Sequence, residues 1–144
     1  MNVVKIQTEI LKDALNQKAH KWLIQVDDSE VILANNVQIF VIKAEDFILD
    51  VNKLVGAGVK TMTTGKNILD GYSKANPLTK TPLKRVAGNV TCIELKYGDE
   101  SIYVDEALLK NFDKSVEFEG TSSKGVVYVY EGELLVGVVM PVRV

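Results

Sequence analysis

Ser101-Ile102-Tyr103-Val104-Asp105-Glu106-Ala107-Leu108-Leu109-Lys110-Asn111-Phe112 packs a strand, a helix cap and an amphipathic helix into twelve residues. Ser101 to Val104 reads as a short strand of β-branched and aromatic residues. Asp105 is a helix N-cap, Glu106 suits the positive end of the helix dipole, and Ala107, Leu108, Leu109 and Phe112 form the apolar face. Val116 to Glu119, Val126 to Tyr130 and Glu133 to Met140 follow as strands, with a turn at Glu131-Gly132. The order is β-α-β-β-β.

The first third of the chain predicts the same order. Val3-Val4-Lys5-Ile6-Gln7 alternates apolar and polar residues as a half-buried strand does, and Thr8 is placed as an N-cap for a helix ending near Gln17. Trp22 to Val26, Glu30 to Ala34 and Val37 to Lys43 read as strands. Asp27-Asp28-Ser29 and Asn35-Asn36 turn the chain between them. At an offset of 97 residues Thr8-Glu9-Ile10-Leu11 falls on Asp105-Glu106-Ala107-Leu108, and Leu15 falls on Phe112. The sequence therefore predicts an α+β domain over 1–144, with one β-α-β-β-β unit at 3–43, a second at 101–144 and an insert at 44–100. Within the insert, Ala44 to Val55 reads as a helix stopped by Gly56. Gly56 to Asn89, rich in Gly, Thr, Lys and Pro, reads as a long loop with one short helix near Lys66 to Tyr72. Val90 to Tyr97 returns to strand, turning at Gly98-Asp99.

The 144 residues carry 17 Lys and Arg against 19 Asp and Glu, a net charge of −2 at pH 7, with a composition that excludes wholesale disorder. That charge is unevenly spread. Lys53, Lys60, Lys66, Lys74, Lys80, Lys84 and Arg85 face a single acid, Asp70, so 53–85 carries +6 and the other 111 residues carry −8. Positive charge on such a segment suits contact with nucleic-acid phosphates, and Tyr72 offers a stacking surface. The competing reading is a solvated lysine-rich segment that complements the acidic body within an oligomer.

Enzymatic signatures are missing. Six residues separate Gly58 from Gly65-Lys66 where a phosphate-binding loop requires four, and Asn67 replaces the metal-binding Ser or Thr. His20 is the only histidine and sits among lysines. Asp27, Asp28 and Glu30 lack the spacing of a calcium loop, so no metal or cofactor is expected. Cys92, the single cysteine, lies in an apolar strand and reads as a buried, inert thiol. Lys5, Glu9, Lys12 and Asp13 break any apolar N-terminal segment, and the longest apolar run, Leu134 to Val142, has nine residues. The expectation is a soluble, cytoplasmic protein with no membrane partner.

Two β-α-β-β-β units in one chain resemble a single domain of the DNA sliding clamps. Trp22-Leu23-Ile24-Gln25-Val26-Asp27-Asp28-Ser29-Glu30-Val31-Ile32-Leu33 looks like the strand-turn-strand after the first helix of a bacterial clamp domain. Val138-Val139-Met140-Pro141-Val142-Arg143-Val144 resembles the bacterial clamp C-terminus. In that family the tail helps wall a pocket for short motifs of replication proteins, which implicates Met140, Pro141, Val142 and Arg143 in partner binding. The resemblance implies a non-enzymatic, DNA-associated tether that acts as a homo-oligomer, of a kind suited to a phage or mobile element. The alternative is a clamp-fold interaction module that never meets DNA. The departures are the lone domain, the near-balanced charge of the helices and an insert with no clamp counterpart.

Overall fold

The computed structural model describes residues 1–70, 75–122 and 125–143, apart from the side chains of Lys66 and Ile68. It mixes helices with strands, as the sequence predicts. The chain forms two compact units, Asn2–Ile68 and Leu69–Val144, with Met1 grouped with the second.

In the N-terminal unit the first element is a helix. α1 spans Val3–Leu15, and Asn2 caps it by accepting the Lys5 amide at 3.1 Å. This corrects the expected strand at 3–7 and the expected cap at Thr8. Five alternating residues fit either period, but Ile6, Gln7 and Ile10 are buried at helical spacing and Asn2 supplies the cap. Thr8 instead sits inside the helix, its hydroxyl donating to the Val4 carbonyl at 2.7 Å. β1 (Leu23–Val26), β2 (Glu30–Ala34) and β3 (Gln38–Lys43) form an antiparallel meander close to the expected bounds. Its turns are built by Asp27, which accepts the Ser29 and Glu30 amides, and Asn35, which accepts those of Val37 and Gln38.

The helix expected at 44–55 is interrupted. A 3-10 turn covers Ala44–Asp46, and α2 (Val51–Gly56) starts only at Asp50, whose carboxylate accepts the Asn52 and Lys53 amides. Buried Gln7 accounts for the break. Its Nε2 donates to the Asp46 carbonyl at 2.9 Å and its Oε1 accepts the Ile48 amide at 2.8 Å. Those two backbone groups are thereby drawn away from a helical ladder. β4 (Lys60–Thr61) then pairs parallel with β1, giving the local order β4-β1-β2-β3, and α3 (Gly65–Leu69) follows.

Within the segment 56–89, α3 lies where a short helix is expected, but the C-terminal unit overturns the loop expectation over 76–87. β5 runs through Asn76–Ala87 as a 12-residue strand. Asn76–Leu78 pairs with β8 (Glu117–Gly120), and Thr79 to Ala87 pairs with β6 (Val90–Tyr97). Pro82 falls in the register break between Lys80 and Lys84, where no ladder amide is needed. Its two prolines and scattered lysines hide a strand whose partners lie far along the chain. β7 (Glu100–Asp105), β9 (Val127–Glu131) and β10 (Leu134–Val139) complete the antiparallel order β10-β9-β8-β5-β6-β7.

The tail after β10 reaches β7. The Val142 amide donates to the Tyr103 carbonyl at 2.7 Å, tying the chain beyond β10 to β7. Between β7 and β8 the expected helix is a single turn, α4 (Glu106–Leu109), with Asp105 accepting the Ala107 amide at 2.8 Å as its cap. Asn111 and Phe112 continue in tighter turns onto the carbonyls of Leu108 and Leu109. The order β7-α4-β8-β9-β10 matches the sequence reading of the last third. The first third lacks the leading strand.

Replacing Gln7 by Leu keeps the volume but removes the two part-buried hydrogen bonds to the Asp46 carbonyl and the Ile48 amide. Urea denaturation should show a loss of about 1–3 kcal/mol. A stability equal to wild type would contradict the role given to Gln7.

Candidate functional site

The basic residues singled out by the sequence divide between the units. Lys53 lies in α2 and Lys60 opens β4, both exposed. Lys80, Lys84 and Arg85 share β5, also exposed. Lys74 and the side chain of Lys66 lie outside the described residues, as does Tyr72.

The register of β5 against β6 sorts its cations onto opposite faces. Lys80 stands opposite Leu95 and Lys84 opposite Ile93, whereas Arg85 stands opposite Cys92. Lys84 Nζ is 2.7 Å from Glu106 Oε1, so the strand is fastened to α4. That hydrogen bond holds the Glu106 carboxyl below the usual carboxylate range, with the charges of Lys110 and Lys80 adding to it. On the other face the Arg85 guanidinium lies 5.6 Å from the centroid of the Tyr103 ring, a cation–π contact.

That second face centres on Glu94, which sequence reading missed. It is only 5 % exposed and accepts hydrogen bonds from the hydroxyls of Thr81, Ser101 and Tyr103 at 3.0, 3.0 and 3.1 Å. Burial alone pushes its carboxyl up, but these hydroxyls and the charge on Lys96 outweigh that and hold it below its ordinary value of 4.5. The one signal available was an acid between Ile93 and Leu95 in an apolar strand. The three hydroxyls come from β5 and β7, so no local pattern assembles them. Neighbouring Cys92 is fully buried, and burial followed by the charge on Asp105 pushes its thiol up. That is the environment of an inert thiol.

On the Lys80 face the C-terminal unit opens a groove of about 750 Å³. Pro77, Leu78, Ile93, Leu109, Phe112 and Phe118 supply its apolar lining. Glu106, Asp113, Glu117 and Glu119 stand around it with Lys80, Lys110 and Lys114. Its volume is that of a ligand or peptide pocket, typically about 300–1,000 Å³.

Met140, Pro141, Val142 and Arg143 do not line this groove. They form the segment after β10. Val142 is fixed by its bridge to Tyr103, while Met140 is 46 % exposed and Arg143 is exposed. His20 lies exposed in a 3-10 turn, Ala19–Lys21. Among the described residues no three His, Cys, Asp or Glu side chains gather as a metal site, and no helix is long and apolar enough to cross a membrane.

No protein-family model, curated protein or solved structure matches the chain.

A depressed carboxyl stabilises the fold above its unfolded value, and that contribution disappears as pH falls through the folded one. Carbon-detected NMR titration should place Glu94 below 4.5 in the wild type and higher in Tyr103→Phe, which removes one donor. The stability gap between wild type and Glu94→Gln should shrink as acid protonates the native carboxyl. A Glu94 that titrates at or above its ordinary value would contradict the network.

Proposed function

We propose that this chain is a non-enzymatic, clamp-like DNA-associated protein that tethers a partner by oligomerising, with no bond made or broken. The observation that carries the reading is β5, a long strand that presents Lys80 and Lys84 to solvent on one face and Arg85, over the Tyr103 ring, on the other. Exposed cations along one extended strand suit contact with nucleic-acid phosphates. The β7-α4-β8-β9-β10 order and the Met140-Pro141-Val142-Arg143 tail support the clamp-like part of the reading. In this reading DNA also meets Lys53, Lys60, Lys66 and Lys74, and replication-type proteins dock beside the tail.

The second reading, a clamp-fold interaction module without DNA, draws on two contacts. Lys84 is paired with Glu106 and Arg85 is stacked on Tyr103, so both cations already have partners inside the protein.

Fluorescence anisotropy with duplex and single-stranded oligonucleotides, repeated over a range of salt, separates the two. Neutralising three phosphates through β5 gives a log–log slope of about −2 to −3. Lys80→Gln/Lys84→Gln/Arg85→Gln should flatten that slope and weaken binding. Glu106→Gln removes a nearby negative charge and releases Lys84, so it should tighten binding. No binding at low salt, or binding indifferent to all these changes, favours the module without DNA.

A further inference from the structure

The groove of the C-terminal unit holds more free positive charge than its list of acids suggests. Glu106 is already paired with Lys84, and Asp113 lies 3.0 Å from the Met1 amino group. Glu117 and Glu119 alternate with Phe118 along β8, so their carboxylates leave by the other face of that strand. Lys80, Lys110 and Lys114 are exposed, and none of them forms an ion pair with another described residue.

Two of these lysines stand beside Glu106 on the groove side. Lys80 lies two residues from Leu78 in β5, on the face where Leu78 meets Phe118. Lys110 ends α4, one turn after Glu106. The Lys84 hydrogen bond lowers the Glu106 carboxyl most, and the charges of Lys84, Lys110 and Lys80 add to it. One carboxylate therefore sits among three ammonium groups. Next to them the floor is hydrocarbon: Leu78, Ile93, Phe112 and Phe118 are only 5–8 % exposed, and Leu109 is half-buried.

An apolar cleft with uncompensated cations beside it discriminates twice. Its floor gains from covering by hydrocarbon, and its lysines gain from an anion held away from bulk water. A nucleic-acid backbone would satisfy the lysines and leave the floor wet. A cationic chain would cover the floor and be repelled. The volume of about 750 Å³ suits a small molecule.

We propose that this groove binds a fatty-acid-class ligand, with its carboxylate at Lys80 and Lys110 and its chain over Leu78, Phe112 and Phe118. The site requires neither DNA nor oligomerisation, and Lys110 is not among the cations assigned to DNA.

Isothermal titration calorimetry of the full chain with decanoate below its micelle concentration tests the proposal, with amide NMR locating the site. Decanoate should saturate one site and shift Pro77-adjacent β5 residues, β8 and α4. From hexanoate to decanoate, each added methylene should tighten binding about fourfold. Lys80→Gln/Lys110→Gln, on exposed positions, should weaken decanoate roughly tenfold or more. Decyltrimethylammonium should bind at least roughly tenfold more weakly than decanoate, since it replaces attraction to the lysines with repulsion. Lys12→Gln/Lys18→Gln removes the same charge from the N-terminal unit and should leave the affinity unchanged.

No saturable decanoate binding overturns the proposal, as do shifts confined to other elements. Equal affinity for the two decyl compounds overturns it by removing the role of the lysines. An affinity independent of chain length overturns it by removing the role of the floor. Equal losses in the two lysine pairs also overturn it, because they reveal only an effect of net charge.

Discussion

β5 holds the C-terminal unit together because one unbroken strand serves two ladders. Asn76–Leu78 belongs to β8 and Thr79 to Ala87 to β6, and the change of partner occurs without a loop. A strand that is shared in this way must bend, and the register break around Pro82 supplies the irregularity. Val142, beyond β10, is bridged to Tyr103 of β7. The groove, the Glu94 network and the placement of the β5 cations all follow from this path.

The two faces of the β5-β6-β7 ladder differ in chemistry. On one, Ile93, Leu95, Ile102 and Val104 pack as a core, and Lys80 and Lys84 project from β5 at its margin. On the other, Glu94 is buried yet charged because three hydroxyls from the flanking strands replace water. Tyr103 links this second face to the tail. Its hydroxyl donates to Glu94, its ring lies beneath Arg85 and its carbonyl receives Val142. A change at this residue therefore reaches the carboxyl, the cation and the Val142 bridge together.

The features legible in the sequence are those made by short-range bonds. Asp27, Asn35 and Asp105 each accept amides two or three residues away, so the turns of the first meander and the start of α4 lie where the residues predict. The cysteine's burial was legible too, from its apolar neighbours. Longer-range contacts defeated the same reasoning. Gln7 interrupts the 44–55 helix from 41 residues away at Ile48, and Asn2 outcompetes Thr8 as a cap. β5 read as a loop because its stability comes from β6 and β8, not from its own Thr-, Lys- and Pro-rich composition. Of the basic segment, the sequence supplied the charge, and the strand sorted Lys80 and Lys84 from Arg85.

The tether reading rests on β5 meeting DNA through its exposed cations. The most direct measurement is an amide NMR titration of the full chain with a short duplex. The expected result is a set of shift changes concentrated on Thr79 to Ala87 and the facing residues of β6, fading as salt is raised. Unchanged spectra at low salt, or changes confined to other elements with β5 silent, would contradict it.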